Sequence, residues 1–299
     1  MVIPPKIQPP ALTCRSIQTN TIPRRNLNEN KAHKQAPRSD RLSDDDRNAC
    51  GSSSESSIWS WCAEQTVKYY GISTLDYVFL SHGDMDHISG IQEFLETYEK
   101  GWNGKNVHGI TLKTLVLPPT AKLSDFNEIK QLADKKGIKI LQMETGDYLE
   151  SSSAKWNIRC LSPEKEALTG DSNQDSMVLM IQYGKFRMLF TGDLEKDAEK
   201  KISEWTENEW LDSDVLKVGH HGSGNSSSEE FLQKVSPRAA VISCGKNNNY
   251  GHPADETLER LQHAGAEIFL TADQGAVQIH SDGERFRIDT YLKEIRPVS

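Results

Sequence analysis

Short apolar stretches alternate along this chain with longer segments in which apolar residues recur every three or four positions. Residues 75–80 are β-branched or aromatic apart from one Asp and two Leu, and they contain no Gly or Pro, which predicts a buried strand. Apolar residues at helical spacing follow soon after, at Ile88, Ile91, Leu95 and Tyr98. The polar stretch between them is therefore predicted to be a loop where a strand feeds a helix.

The same alternation continues to the end of the chain. The pattern predicts further strands at 112–117, 138–143, 156–161, 177–181, 186–190, 215–219, 239–243 and near 266–270, 275–280 and 285–291. It predicts helices at 58–70, 124–136, 195–210, 227–235 and 255–264. Ser227 and Glu230 have the spacing of a capping box at the start of one of these helices. Strands that alternate with helices indicate an α/β fold with crossover connections.

The first loop carries two imidazoles and two carboxylates within six residues: His82, Asp84, Asp86 and His87, in the pattern H-x-D-x-D-H. A strand cannot direct adjacent side chains at one point, because they alternate between its faces, whereas a strand-to-helix turn can. Neutral nitrogen and anionic oxygen are common metal ligands. The alternative is a polar loop with a helix cap at Asp86, but four such residues after a buried strand favour a metal site.

Five more candidate site residues also follow predicted strands. Asp193 comes directly after the strand at 186–190, and the alternative role for it is a helix cap. His220 and His221 are adjacent, so we expect one of them to bind metal, and the sequence does not decide which. Ser223, with the amides that begin the next helix, is predicted to hold a phosphate oxygen. His252 is predicted to bind substrate or to protonate the leaving group; the alternative is an ordinary loop histidine.

These residues are enough to hold two divalent ions. The first set is His82, Asp84 and Asp193. The second set is Asp86, His87, Asp193 and one of His220 and His221, so that Asp193 bridges the two ions. Two cations lower the pKa of a shared water, which gives Asp86 and its neighbours a catalytic role in hydrolysis. Asp84 makes the first set harder, which favours Mn²⁺ or Mg²⁺ beside Zn²⁺.

Composition divides the chain near residue 48. Residues 1–48 carry a charge of +4 and scattered apolar residues, and the remainder carries −12 within a net charge of −8. The first segment cannot bury enough apolar surface to offset its chain entropy, so we expect it to be disordered, or else a basic tail for an anionic partner. Residues 49–299 are expected to form the folded domain. The acidic total disfavours a protein that coats nucleic acid, but it does not exclude a nuclease.

Cysteine usage indicates a reducing compartment, and hydropathy gives no sign of a membrane helix or a signal peptide. The five cysteines are odd in number and lack metal-type spacing. No run approaches the ~18 apolar residues of a membrane helix, and prolines stand where the apolar core of a signal peptide would lie. The chain by itself is therefore expected to be cytoplasmic.

The pattern from His82 to His87 resembles the metal motif of the metallo-β-lactamase fold. Later landmarks resemble, in order and rough spacing, the ComEC branch of that fold: Asn173-x-x-Ser176-x-Val178-Leu179, Phe190-Thr191-Gly192-Asp193, Leu216-Lys217-Val218-Gly219-His220-His221-Gly222-Ser223 and Asn249-Tyr250-Gly251-His252-Pro253. The resemblance implies a four-layer αβ/βα sandwich and metal-dependent hydrolysis. For this branch it further implies single-stranded DNA as substrate and association with a competence channel for DNA uptake.

Two departures from that family qualify the expectation. The family begins with a strand hairpin that carries glycine-rich turns, and residues 1–48 show no such strands, so the sandwich is expected to lack its first hairpin. No membrane-spanning channel segment is present in the sequence. Three functions remain open: a phosphodiesterase or DNA nuclease, a hydrolase of small esters or lactones on the same site, and an inactive truncated remnant that binds a partner.

Overall fold

The computed structural model of the chain describes residues 64–98, 109–120, 124, 126–151, 155–206 and 208–292. The predicted N-terminal segment, its boundary at residue 49, the missing first hairpin and the start of the predicted helix at 58–70 all lie outside these ranges. The last turns of that helix form α1, Glu64–Tyr69.

The first sheet is parallel and has three strands. It contains β1 (Thr74–Phe79), β2 (Thr111–Leu117) and β3 (Lys139–Gln142), in the order β1-β2-β3. Parallel neighbours need a crossover, and two helices supply it: α2 (Met85–Glu96) and α3 (Asn127–Lys136).

The second sheet is mixed and has seven strands in the order β10-β9-β8-β7-β6-β5-β4. Its strands are β4 (Tyr148–Glu150), β5 (Trp156–Ser162), β6 (Val178–Tyr183), β7 (Phe186–Phe190), β8 (Val215–Lys217), β9 (Ala239–Ile242) and β10 (Glu267–Leu270). Its helices are α4 (Lys196–Trp205), α5 (Asn208–Leu211), α6 (Glu229–Val235), α7 (Asp255–His263) and α8 (Thr271–Gln274). A separate antiparallel hairpin joins β11 (Val277–Ser281) to β12 (Phe286–Thr290).

Side-chain alternation along the strands divides the core into layers. Leu115 and Leu117 of β2 pack among α2 and α3, whereas Val116 between them packs against the second sheet. Leu179 of β6 faces the first sheet, and its neighbours Val178 and Met180 pack against the helices on the outer face. The order of layers is helix, sheet, sheet, helix. This is the predicted four-layer αβ/βα sandwich, and the fold class is confirmed.

The carboxyl ends of several strands meet at one edge of the sandwich. Strands β7, β8, β9 and β10 are parallel, so their carboxyl ends lie on the same side of the second sheet. The first sheet is tied to this edge where Met177 N, just before β6, donates to Ser81 O beyond β1 at 2.7 Å. The loops after β1, β7, β8 and β9 therefore share one region.

Two local predictions were wrong in detail. The helix predicted at 195–210 is two helices, because Thr206 is buried with an extended backbone that ends α4. The capping box is absent as well: Ser228 occupies the N-cap of α6 and its side chain caps nothing. The carboxylate of Glu199, from α4, instead accepts hydrogen bonds from Ser227 N and Ser228 N. A distant residue thus does what the local pattern assigned to Ser227 and Glu230.

None of the helices within the described ranges combines the length and the apolar character that crossing a bilayer requires.

Candidate metal centre

The loop after β1 brings two imidazoles together and fixes their orientation. The rings of His82 and His87 lie 4.0 Å apart between centroids. Ser81 Oγ is 3.1 Å from Nδ1 of His82 and 3.0 Å from Nδ1 of His87. A hydroxyl oxygen has two lone pairs, so it can accept from both rings when each carries its proton on Nδ1. Both Nε2 lone pairs then face away from Ser81, into the site.

Asp193 lies at the centre of the group. It follows β7 and is only 4% exposed. Its Oδ1 is 3.2 Å from Nε2 of His87, and its Oδ2 is 3.8 Å from Nε2 of His82 and 3.8 Å from Nε2 of His221. Ser176 Oγ accepts a hydrogen bond from Asp193 N at 3.1 Å and anchors the backbone at this point. One carboxylate from the second sheet thus contacts imidazoles held by the first sheet.

The two remaining carboxylates of the first loop lie on either side of Asp193. Asp84 Oδ2 is 3.8 Å from His82 Nε2, and Asp86 Oδ2 is 3.8 Å from His87 Nε2. Both side chains are about half exposed or more, at 49% and 61%, so they line the open side of the group. The first loop and Asp193 therefore bring together the whole first set, and all of the second set except its histidine at 220 or 221.

The structure separates His221 from His220. Nδ1 of His221 is 2.8 Å from the carbonyl oxygen of Ser243, to which it donates, and this leaves the Nε2 lone pair directed at Asp86 Oδ2, 3.1 Å away. A backbone carbonyl behind an imidazole commonly fixes the ligating nitrogen in this way. His220 instead directs Nδ1 at Glu195 Oε1, 3.3 Å away, and its Nε2 is 3.9 Å from Asp193.

Four side chains form the tightest group. One ligand atom from each of Asp86, His87, Asp193 and His221 lies within 4.8 Å of the other three. Neighbouring ligands at bond lengths of 2.0–2.2 Å around a tetrahedral ion stand about 3.3 Å apart. Spacings of 3.1 to 3.8 Å among these atoms are of that order. The geometry favours His221 over His220 in the second set.

The titration behaviour of the group reflects how closely it is packed. Burial lowers the pKa of His82 to about 4, and the charge of His87 contributes to this shift. Burial alone would raise the pKa of Asp193, but His87, whose Nε2 is 3.2 Å from Oδ1, and the charges of His221 and His82 when these rings are protonated hold it well below its usual range. The contact between Asp86 and His221, which is a hydrogen bond when His221 is protonated, lowers the pKa of Asp86 and raises that of His221.

These residues fit divalent ions. The Nε2 atoms of His82 and His87 are buried, and among the described residues they meet no partner at hydrogen-bonding geometry. When both Nδ1 atoms donate to Ser81 Oγ, each Nε2 lone pair faces carboxylate oxygens, which are also acceptors. Acceptors that face one another in this way need a cation between them. A neutral imidazole and an ionised carboxylate are the forms in which His82 and Asp193 would ligate.

The two predicted substrate contacts differ. His252 lies beside the group, with its ring centroid 5.6 Å from that of His220, and burial lowers its pKa, as do the charges of His220 and His221. Ser223 is buried, and its Oγ accepts a hydrogen bond from Asn225 N at 3.3 Å. The amides of Ser227 and Ser228, directly before α6, already bond to Glu199, so these two are not open to a phosphate. A role for Ser223 in substrate binding stays a prediction.

Several residues that shape the site had no role assigned to them from the sequence. Ser81 stands directly before the histidine motif, and its position there was the available clue. Ser176, Glu195 and the Ser243 carbonyl act through contacts that only the folded chain creates.

Comparison with known proteins gives a family match for part of the chain. The family model described as "Metallo-beta-lactamase superfamily" matches residues 51–114, which include the whole His82–His87 motif. This segment is therefore similar to the metallo-β-lactamase superfamily, and the fold of the described residues agrees with that match. Members of this superfamily are generally metal-dependent hydrolases, and the candidate metal group lies in the loops where its motif predicts it.

The curated relatives of this chain are competence proteins of the ComEC type. It is 36% identical over 209 residues to ComE operon protein 3 of Bacillus subtilis, which covers 70% of this chain and 25% of the relative. It is 29% identical over 223 residues to Recombination protein 2 of Haemophilus influenzae, which covers 75% of this chain and 24% of the relative. It is 41% identical over 109 residues to Competence protein ComA of Neisseria gonorrhoeae, which covers 36% of this chain and 16% of the relative. The chain therefore spans about a quarter or less of these relatives.

Proposed function

We propose that this chain is a phosphodiesterase that cleaves single-stranded DNA with the help of two divalent ions. The single observation that carries the proposal is the convergence of His82, His87 and Asp193 from two different sheets on one group of ligand atoms. The ComEC-type relatives support DNA as the substrate. A place beside a DNA-uptake channel is part of the same proposal.

The residues divide between two ions that share Asp193. The first ion would be held by His82, Asp84 and Asp193. The second would be held by Asp86, His87, Asp193 and His221. When bound, such a pair supplies positive charge that lowers the pKa of water and polarises a phosphoryl oxygen. Three imidazoles and three carboxylates make a mixed donor set: the imidazoles suit Zn²⁺, and the carboxylates suit Mn²⁺ and allow Mg²⁺.

The chain's own residues would position the substrate around that centre. Ser81 and the Ser243 carbonyl hold the imidazoles with Nε2 directed at the site, so the ligands are set before the substrate arrives. His252 lies beside His220 on the open side, where it would contact the phosphate or protonate the leaving oxygen.

The proposal is tested by cleavage of a labelled single-stranded oligonucleotide by the purified full chain, stripped of metal and reloaded with Mn²⁺, Mg²⁺ or Zn²⁺. We expect cleavage with at least one ion, and a loss of at least about 100-fold in Asp86→Ala because a ligand of the second ion is removed. Asp76→Ala is the matched control, since Asp76 lies on β1 outside the site and forms an exposed ion pair with Lys113.

Two outcomes would overturn the proposal. One is a folded, metal-loaded protein that cleaves no DNA with any of the three ions. The other is full activity in Asp86→Ala. A parallel screen of aryl esters and lactones distinguishes the nearest competitor: hydrolysis of these compounds without cleavage of DNA would make the chain a small-molecule esterase on the same site.

A further inference from the structure

A row of aromatic rings leads from the surface to the candidate metal centre. The rings of Tyr250 and His252 are stacked, with centroids 6.0 Å apart and planes inclined by 19°. The ring of His252 is in turn 5.6 Å from that of His220, whose Nε2 is 3.9 Å from Asp193. Tyr250 stands at the outer end of this row and is 83% exposed.

The exposed ring of Tyr250 does not stabilise the fold by burial. An aromatic side chain contributes to folding by leaving water, and this one stays in water. Tyr250 is the most exposed of the large hydrophobic side chains within the described ranges. An aromatic ring that the fold leaves uncovered beside a candidate active site is available to a ligand.

The loop presents this ring from a fixed backbone. The side chain of Asn248 accepts hydrogen bonds from Tyr250 N at 3.2 Å and from His252 N at 3.0 Å, and it donates to the carbonyl of Gly245 at 3.0 Å and to the carbonyl of His252. One amide group thus closes the turn on both sides of Tyr250. A ring held in this way loses little further freedom when a ligand stacks on it.

We propose that Tyr250 stacks on a nucleobase next to the scissile phosphate and selects single-stranded over double-stranded nucleic acid. The inference rests on the proposed function for the identity of the reacting group. One face of the ring is stacked on His252, and the 83% exposure of the side chain leaves the other accessible to a planar partner as far as the described residues are concerned. Bases in a duplex already stack on one another, whereas an unpaired base offers its π face to an aromatic side chain. The exposed Lys246 in the same loop adds a cation for the backbone.

The test measures binding separately from cleavage. Fluorescence anisotropy of the metal-loaded full chain is recorded with two single-stranded phosphorothioate oligomers of equal length and charge, which resist hydrolysis: one of thymidine and one of abasic units. We expect the wild-type chain to prefer the thymidine oligomer by about 5- to 150-fold, the range that base–aromatic stacking provides. Tyr250→Ala is expected to remove the preference, and Tyr250→Phe to keep it.

A matched control is Tyr183→Ala. Tyr183 is a partly exposed tyrosine at the far end of β6 from Ser81, so its removal should leave the preference intact. Metal content of Tyr250→Ala should equal that of the wild type, because Tyr250 is not among the candidate ligands.

Three results would overturn the inference: equal binding of the two oligomers by the wild type, a preference that survives in Tyr250→Ala, or duplex bound as tightly as single strand. A base preference without cleavage of unmodified DNA would leave the inference standing and contradict the proposed function. Cleavage of unmodified DNA without a base preference would contradict the inference and leave the proposed function standing.

Discussion

The hydroxyl of Ser81 is within 3.1 Å of both Nδ1 atoms that set the orientation of His82 and His87. Removing it would take this partner from both rings, although Ser176 Oγ would remain 3.3 Å from Nδ1 of His82 and no ligand atom would be lost. A group that orients ligands in this way typically contributes 10- to 100-fold to metal affinity.

Ser81→Ala is therefore expected to lower metal affinity by about 10- to 100-fold while the fold is kept. Ser81→Thr keeps the hydroxyl and is expected to bind metal nearly as the wild type does. Competition with a chelator of known affinity measures both variants. If Ser81→Ala binds metal as tightly as the wild type, the role of this hydroxyl in orienting the rings is contradicted.

The low pKa of His82 makes the metal-free protein sensitive to acid. The folded value is about 4, whereas an unfolded histidine titrates near 6.5. Between these values the unfolded chain binds a proton that the folded chain refuses, so the free energy of unfolding falls as pH falls. We expect a loss of about 2 kcal/mol between pH 7.5 and pH 5 from this residue. The raised pKa of His221 works in the opposite direction and offsets part of the loss.

The measurement is urea unfolding of the chelated protein across that pH range. His82→Gln removes the titration and is expected to flatten the pH dependence. His263→Gln, a change at an exposed histidine on α7, serves as the control and should keep it. The carboxylates Asp86 and Asp193 have lowered pKa values, so their contribution is lost only at more acidic pH and stays outside this window. An unchanged slope in His82→Gln would contradict the assignment.

At the scale of elements, the strand ends that carry the site were predictable, because each apolar run and the ligand-type residues after it are neighbours in the chain. Ligand-type residues directly after apolar runs located the loops that follow β1, β7 and β8, and parallel strand order then made them meet. The choice between His220 and His221 was not predictable. It depends on Ser243 and Glu195, which reach these rings only through the fold. The cap on α6 by Glu199 escaped prediction for the same reason.

Gly192 connects β7 to Asp193 where the two sheets touch. Its φ is +55°, and a Cβ there would stand 3.0 Å from side-chain atoms of Ser176 and Ser81. Gly192→Ala should therefore displace both serines as well as strain the turn. We expect it to weaken metal binding at least 10-fold, because the serines hold His82, His87 and the Asp193 amide, and to destabilise the fold by about 2 kcal/mol or more.

Gly265→Ala is the matched control for this change. Its φ of +79° carries the same backbone strain, but nothing lies within 4 Å of the added Cβ. It is expected to cost about 1–2 kcal/mol of stability without any effect on metal affinity. Thermal unfolding and chelator competition compare the two variants. Equal metal affinity in both would show that the contact of Gly192 with the serines does not matter to the site.

At the scale of the whole molecule, the candidate centre joins the two halves of the sandwich. His82 and His87 belong to the first sheet and its helix, and Asp193 and His221 belong to the second sheet. A ligand that binds only the folded arrangement stabilises it in proportion to the logarithm of its concentration over its dissociation constant. Metal should therefore stabilise the chain as a unit.

At metal concentrations about 1,000 times the dissociation constant the gain is about 4 kcal/mol, which for a chain of this size raises the melting temperature by roughly 8–16 °C. Asp193→Asn is expected to abolish this shift, since Asp193 contacts both sets. Asp76→Asn is expected to keep it. Differential scanning calorimetry with and without chelator measures the shift, and an undiminished shift in Asp193→Asn would place the stabilising metal elsewhere.

The most direct test of the whole account is the metal-to-protein ratio of the purified full chain after saturation with Mn²⁺ or Zn²⁺ and removal of free ions. Because two ions would share Asp193, we expect a ratio near two for the wild type and near zero for Asp193→Ala, with a folded circular dichroism spectrum in both. A ratio near zero in the folded wild type, or an unchanged ratio in Asp193→Ala, would contradict it.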